Sequence, residues 1–258
     1  MKPAPLATKT AILRSLGNLV RGLSAVFWGI PLALVIGVQT ALTDWFRSME
    51  ELGILLPIGA HLLIFTGLKK LSLFQLQERI WIRSLERAEI LVWINIGLCP
   101  FLYWWNRFPQ EELFVYATGM MGLSSLTLLF NINMVLQRLT AMLPDRLLGQ
   151  EVRLFTTFNG ALLVLLISSI AFFAAVKQMS EIPVELVPFL AIWREIRQFF
   201  ILFLILLPVS VTMALIWKIK EIIFESVFTM EVREIPDVHE TSFQHNPKPP
   251  LDFIPRNN

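Results

Sequence analysis

Residues Leu113–Gln137 read LFVYATGMMGLSSLTLLFNINMVLQ and contain no aspartate, glutamate, lysine or arginine. A helix of this length extends about 37 Å, which is enough to cross the roughly 30 Å hydrocarbon core of a bilayer. Five further windows are uncharged and of suitable length, namely Gly22–Thr43, Leu52–Leu68, Ile90–Asn106, Leu154–Val176 and Gln198–Trp217. The sequence therefore predicts an all-α polytopic membrane bundle of six transmembrane helices.

The composition agrees with this prediction. The chain has 258 residues and is 55% hydrophobic, and only 16% of its residues are charged, whereas soluble proteins carry about a quarter. This leaves no room for a sizeable soluble domain. We expect a basic amphipathic segment at 1–21, the membrane domain at 22–220, and a cytoplasmic tail at 221–258. Because much of the tail is polar and rich in proline, we expect it to be largely disordered.

The distribution of basic residues predicts the orientation. If the N-terminus is cytoplasmic, only Arg47, Arg107, Lys177, Arg194 and Arg197 fall on the opposite side, which leaves 17 of the 22 basic residues in the cytoplasm. The positive-inside rule therefore places both termini in the cytoplasm, and an even number of helices agrees with this. A bacterial inner membrane fits the pattern, and organellar or other eukaryotic membranes stay open. The basic patches are expected to face lipid headgroups, and nothing indicates binding of nucleic acid.

Three flanking segments have their own patterns. Residues 1–21 could form an amphipathic surface helix or a simple basic flank. The stretch Leu71–Ala88 has a broad apolar face and a polar one, which predicts a cytoplasmic amphipathic helix on the membrane surface or, alternatively, a docking helix for a cytosolic partner. The outer loop Lys177–Arg197 is predicted to hold a short segment that caps the bundle. A re-entrant segment is the alternative for this loop, but Glu181 and Glu185 oppose deep insertion.

Small residues mark two expected helix-packing faces. One face combines Gly29, Ala33 and Gly37 at four-residue spacing, and the other combines Gly119, Gly122 and Ser125 at three-residue spacing. Small side chains at such spacing allow two helix backbones to approach closely. The partner of each face could be another helix of this chain, which we favour, or a different subunit.

A few polar side chains lie inside the apolar windows and form the candidate intramembrane site. They are His61, Asn95, Asn131, Asn133 and Asn159. An imidazole near the centre of a bilayer needs a hydrogen-bond partner, and it can act as a ligand contact, a proton relay or helix glue. We expect His61 to bond an asparagine or the Ser124/Ser125 pair. The asparagines in the windows Leu113–Gln137 and Leu154–Val176 could form an interhelical network or the floor of a cavity.

The residue types in the windows argue against several kinds of functional site. Only one histidine lies in a window and Cys99 is the only cysteine, so bis-histidine haem and structural zinc sites are not expected. We predict no catalytic residues, no metal ligands and no cofactor. No window holds a carboxylate of the kind that proton- or cation-coupled carriers usually place within the membrane.

These observations favour a non-catalytic subunit of a membrane complex that assembles, scaffolds or anchors other membrane or cytosolic proteins. The alternative is a permease subunit driven by a separate cytosolic ATPase, since such a permease needs no carboxylate of its own. A lipid-modifying enzyme would have to use the charged cluster Asp145, Arg146, Glu151 and Arg153, which is more simply interpreted as solvated loop charge.

Overall fold

Six long helices make up the described part of the chain. The computed structural model describes residues 5–43, 52–74, 78–142, 146–178 and 187–233. The helices are α1 (Pro5–Leu42), α2 (Leu52–Ser72), α3 (Arg79–Arg107), α4 (Glu112–Ala141), α5 (Arg146–Gln178) and α6 (Val187–Arg233), and these described ranges contain no strand. All six are long and apolar enough to cross a membrane. The prediction of an all-α chain with six long apolar helices is confirmed.

The helices extend beyond the uncharged windows, because charge alone does not end a helix. The stretch Leu71–Ala88 is not one separate helix. Its first residues end α2, Leu73 and Phe74 form a turn, and Arg79 begins the continuous 29-residue helix α3. Trp81, Leu85 and Ala88 are buried in line with Val92. Their packing against the rest of the chain explains why this segment continues the long helix.

Near both ends of the chain, segments that the sequence predicted as separate belong to the long helices α1 and α6. Helix α1 begins at Pro5 and is 38 residues long, so residues 5–21 continue directly into the first apolar window. Helix α6 is 47 residues long, and the apolar stretch 189–193 of the predicted capping segment belongs to its first turns. The part of the predicted tail at 234–258 lies outside the described residues. The chain divides into two compact units, Met1–Lys220 and Glu221–Asn258.

Sequential helices lie beside one another from α1 to α5, and α1 also contacts α3. Glycines set the contact between α1 and α2. A Cβ atom added at Gly22 would lie 2.9 Å from the carbonyl oxygen of Gly67, and one added at Gly29 would lie 2.6 Å from Ile64 Cγ1. Since only hydrogen fits at these two positions, the α1 backbone approaches α2 closely.

Polar and aromatic contacts hold the C-terminal ends of α1 and α3. The Asn106 side-chain amide of α3 donates to the carbonyl oxygens of Thr40 (2.8 Å) and Thr43 (2.9 Å), which lack further helical partners at the end of α1. Between α3 and α4, Trp104 stacks on Phe108 and Phe114 with ring centroids 6.0 and 6.4 Å apart. These contacts define the tight hairpin of residues 108–111.

Candidate functional site

The first buried polar cluster lies between α2 and α3 and consists of His61, Cys99 and Asn95. His61 and Cys99 are both buried, and the His61 Nδ1 atom lies 2.9 Å from the Pro57 carbonyl oxygen and 3.6 Å from Cys99 Sγ. A carbonyl can only accept, so Nδ1–H donates to Pro57. The Cys99 sulfur is a second and weaker neighbour of the same nitrogen. His61 thereby bonds its own helix and contacts α3.

Asn95 lies one helical turn before Cys99 and belongs to the same buried stripe of α3. Its side chain is 0% exposed, and neither its amide nitrogen nor its oxygen has a hydrogen-bond partner in the structure. A buried polar group without a partner costs about 1–3 kcal/mol. Within the described part of the chain, His61 bonds Pro57 and Cys99, and no bond joins it to any of the candidate asparagines or serines.

The second cluster joins three helices through Thr212 of α6. The Asn133 amide of α4 donates to Thr212 Oγ1 at 3.0 Å, and the Asn159 amide of α5 donates to the same oxygen at 3.1 Å. The Thr212 hydroxyl donates in turn to the Pro208 carbonyl at 2.8 Å. All three polar side chains are buried. One hydroxyl therefore serves as the meeting point of α4, α5 and α6.

The sequence predicted Asn133 and Asn159 as site residues but did not predict Thr212. Transmembrane threonines commonly bond the carbonyl one turn earlier, as Thr40 and Thr156 do here, so a threonine alone gives little signal. Asn131 is separate from both clusters, because its amide donates to the Thr127 carbonyl of its own helix at 3.0 Å. The sequence prediction treated these five polar residues as one candidate site, whereas the structure divides four of them between two places.

The two packing faces differ in how they are used. On α1, Gly29 contacts Ile64, whereas Gly37 has open space beside it. On α4, a Cβ atom added at Gly119 or Gly122 would meet nothing within 4 Å. Their neighbours Tyr116 and Met120 are 69% and 64% exposed. The part of the α4 face formed by Gly119 and Gly122 is therefore not occupied by any described segment of this chain, whereas Ser125 is half-buried.

The chemistry available in the two clusters is hydrogen bonding by one imidazole, three amides and one hydroxyl, together with a single thiol. Among the described residues, no three histidine, cysteine, aspartate or glutamate side chains are grouped so that they could hold a metal ion. Comparisons with protein-family models, curated proteins and solved structures gave no match to this chain.

Proposed function

We propose that this chain is an integral membrane protein, with both termini in the cytoplasm, that serves as a non-catalytic subunit of a membrane complex. Six helices that are long and apolar enough to span a bilayer support the membrane part of this proposal. Many large apolar side chains on these helices are exposed, including Trp28, Val164 and Phe199. Exposure of this extent suits a surface in contact with lipid or with other membrane helices.

The observation that carries the subunit assignment is the open small-residue face of α4. Gly22, Gly29 and Gly67 show how this chain uses glycine for close helix contacts. Gly119 and Gly122 offer the same absence of side chain, yet nothing in the described chain approaches them. A helix from another protein could lie against this face with its backbone close to α4.

The first experiment is purification of the tagged full-length chain in mild detergent, with mass spectrometry of the proteins that accompany it. We expect partner proteins in fixed stoichiometry, and we expect Gly119→Leu/Gly122→Leu to remove at least one of them. Gly59→Leu is the matched control, because Gly59 is an exposed helical glycine that also has open space beside it.

The result also separates the two functional hypotheses. A chain that elutes alone and monodisperse would contradict the subunit assignment. A nucleotide-binding protein among stoichiometric partners would favour the permease alternative over a scaffold or anchor. The bacterial inner membrane is the proposed location, based on the positive-inside pattern of the sequence.

A further inference from the structure

The first turns of α3 carry three exposed arginines at four-residue spacing, Arg79, Arg83 and Arg87, here called the arginine stripe. Residues four apart lie on the same side of a helix, with a rise of about 6 Å between them. Within the described residues, none of the three forms an ion pair, whereas Lys69 pairs with Glu89 at 2.7 Å and Lys218 pairs with Glu151. Glu86 lies on the same side and is exposed, so this side has a net charge of +2.

The same side of α3 becomes apolar immediately after Arg87. Ile90 is 59% exposed, Ile94 is also exposed, and a Cβ atom added at Gly97 would meet nothing within 4 Å. Next to them, the exposed Trp93 ring packs edge-on against Phe65 with centroids 5.1 Å apart. An indole beside a change from charged to apolar surface is typical of the membrane interface.

The spacing along the helix places Arg83 and Arg87 of the stripe near the level of lipid phosphates. The uncharged window Ile90–Asn106 extends about 25 Å, which accounts for most of the hydrocarbon thickness. Arg87 and Arg83 then lie about 4 and 10 Å beyond its end. The headgroup layer on each side of a bilayer is about 5–8 Å thick. Both guanidinium groups can therefore reach that layer, since arginine side chains are long and flexible.

We propose that Arg83 and Arg87 of the arginine stripe bind the phosphate of an anionic phospholipid, with the acyl chains lying along Ile90, Ile94 and Gly97. This inference rests on the membrane embedding proposed above. Guanidinium groups bind phosphate oxygens in a bidentate manner, and the unpaired charge of the stripe favours a lipid with net negative charge. A zwitterionic lipid offers the same phosphate but adds a choline cation, which the arginines repel.

The test measures lipid retention by the purified full-length chain. The protein is incubated in mild detergent with equal amounts of phosphatidylglycerol and phosphatidylcholine, and the lipids that remain bound are counted by native mass spectrometry. We expect preferential retention of phosphatidylglycerol, and we expect Arg83→Gln/Arg87→Gln to weaken it about 25-fold, since each basic residue contributes about a factor of five. Glu86→Gln should strengthen retention, because it removes the opposing charge.

The control removes the same charge elsewhere. Arg138 on α4 and Arg153 on α5 are also exposed arginines beside apolar windows, so they test whether loss of interfacial charge alone explains the effect. Arg138→Gln/Arg153→Gln should weaken retention clearly less than Arg83→Gln/Arg87→Gln does, because these two arginines do not share one side of a helix. An equal loss in this control, or no preference for phosphatidylglycerol in the parent protein, would overturn the proposal. Release of the lipid by inorganic phosphate would show that the stripe recognises a free anion, and would overturn the lipid assignment. Loss of a bound protein from Arg83→Gln/Arg87→Gln, with lipid preference unchanged, would assign the stripe to a protein partner.

This experiment is independent of the test of the subunit assignment. A chain that purifies with partners but shows no preference between the two lipids would contradict only the lipid inference. A chain that purifies alone but retains phosphatidylglycerol through the stripe would contradict only the subunit assignment. Monodisperse elution of each arginine variant verifies that the fold is intact.

Discussion

Gly22 and Gly67 bring the backbones of α1 and α2 into direct contact, which no other residue type would permit. A Cβ atom added at Gly67 would lie 2.8 Å from Val26 Cγ2, 3.0 Å from the Gly22 oxygen and 3.1 Å from Ala25 Cβ. The backbone of the neighbouring helix cannot yield as a flexible side chain can. We therefore regard this crossing as a rigid part of the molecule.

Gly67→Ala should lower the free energy of unfolding by about 1–3 kcal/mol, because the extra methyl group overpacks the crossing. Gly59→Ala is the control on the same helix, and a Cβ atom there meets nothing within 4 Å. Alanine favours a helix over glycine by about 1 kcal/mol, so the control should be neutral or stabilising. Denaturation with SDS in mixed micelles measures the free energy of unfolding of both variants. Equal values would contradict the close approach of α1 and α2 at Gly67.

The Thr212 hydroxyl gives a second residue-scale prediction. A double-mutant cycle with Asn133→Ala and Thr212→Val should show a coupling free energy of about 0.6–1.7 kcal/mol, from the average to the maximum measured for interhelical hydrogen bonds in membranes. The same cycle with Asn131→Ala should show none, since Asn131 bonds only its own helix in the described structure. Coupling of similar size in both cycles would show that any change on α4 affects Thr212. It would contradict a specific hydrogen bond between Asn133 and Thr212.

The asparagines illustrate how far the sequence predicts the candidate site. Their position in apolar windows indicates that each needs a partner, because an unsatisfied amide is costly away from water. The identity of the partner depends on three-dimensional packing. Asn133 and Thr212 are 79 residues apart in the chain, and Asn159 and Thr212 are 53 apart, so their bonds could not be predicted from spacing.

At the scale of single helices, α3 shows what the pattern of charges predicts and what it does not. The uncharged window Ile90–Asn106 correctly indicated an apolar helix, but Arg79, Arg83 and Arg87 do not end it. Exposed arginines are compatible with helix, and the buried side of the same turns packs on the chain. The ends of helices depend on such tertiary contacts, for example the Asn106 amide at the end of α1.

Two substitutions in the first turns of α3 test this continuity. Trp81 is 0% exposed whereas its neighbour Ile80 is 53% exposed. Trp81→Ala should lower the free energy of unfolding by about 3–5 kcal/mol, the range for truncating a buried aromatic side chain. Ile80→Ala should change it by less than about 0.5 kcal/mol. Both changes are measured by denaturation with SDS in mixed micelles. If both substitutions changed the free energy of unfolding only slightly, the first turns of α3 would behave as a detached surface helix, which would contradict their packing on the chain.

At the scale of the whole molecule, six apolar helices follow directly from six stretches without charge. The physical reason is that the free energy of placing charged side chains in hydrocarbon is high enough to exclude them from a spanning helix. Orientation depends on the loops instead, through the asymmetry of basic residues, and the arrangement of the helices does not reveal it.

Reporter fusions test the proposed orientation in a bacterial host. A C-terminal green fluorescent protein should fluoresce, because it folds in the cytoplasm, and alkaline phosphatase fused after Gln110 should be active, because that hairpin is expected to lie outside. A phosphatase fusion after Phe74 should be inactive and serves as the control. The opposite pattern of activities would reverse the topology and move the arginine stripe to the outer leaflet.

The burial of Cys99 has a practical consequence for measuring the stability of this protein. It is the only cysteine in the sequence, and its side chain is 0% exposed. It belongs to an apolar cluster with Met121 of α4, against which Ala41 of α1 and Ile58 of α2 pack. A maleimide reagent can therefore modify the native chain only after these helices separate. The rate of modification, followed by the mass of the intact protein, reports the opening of the helix packing around Cys99 without an introduced label, and one experiment can compare all the variants above.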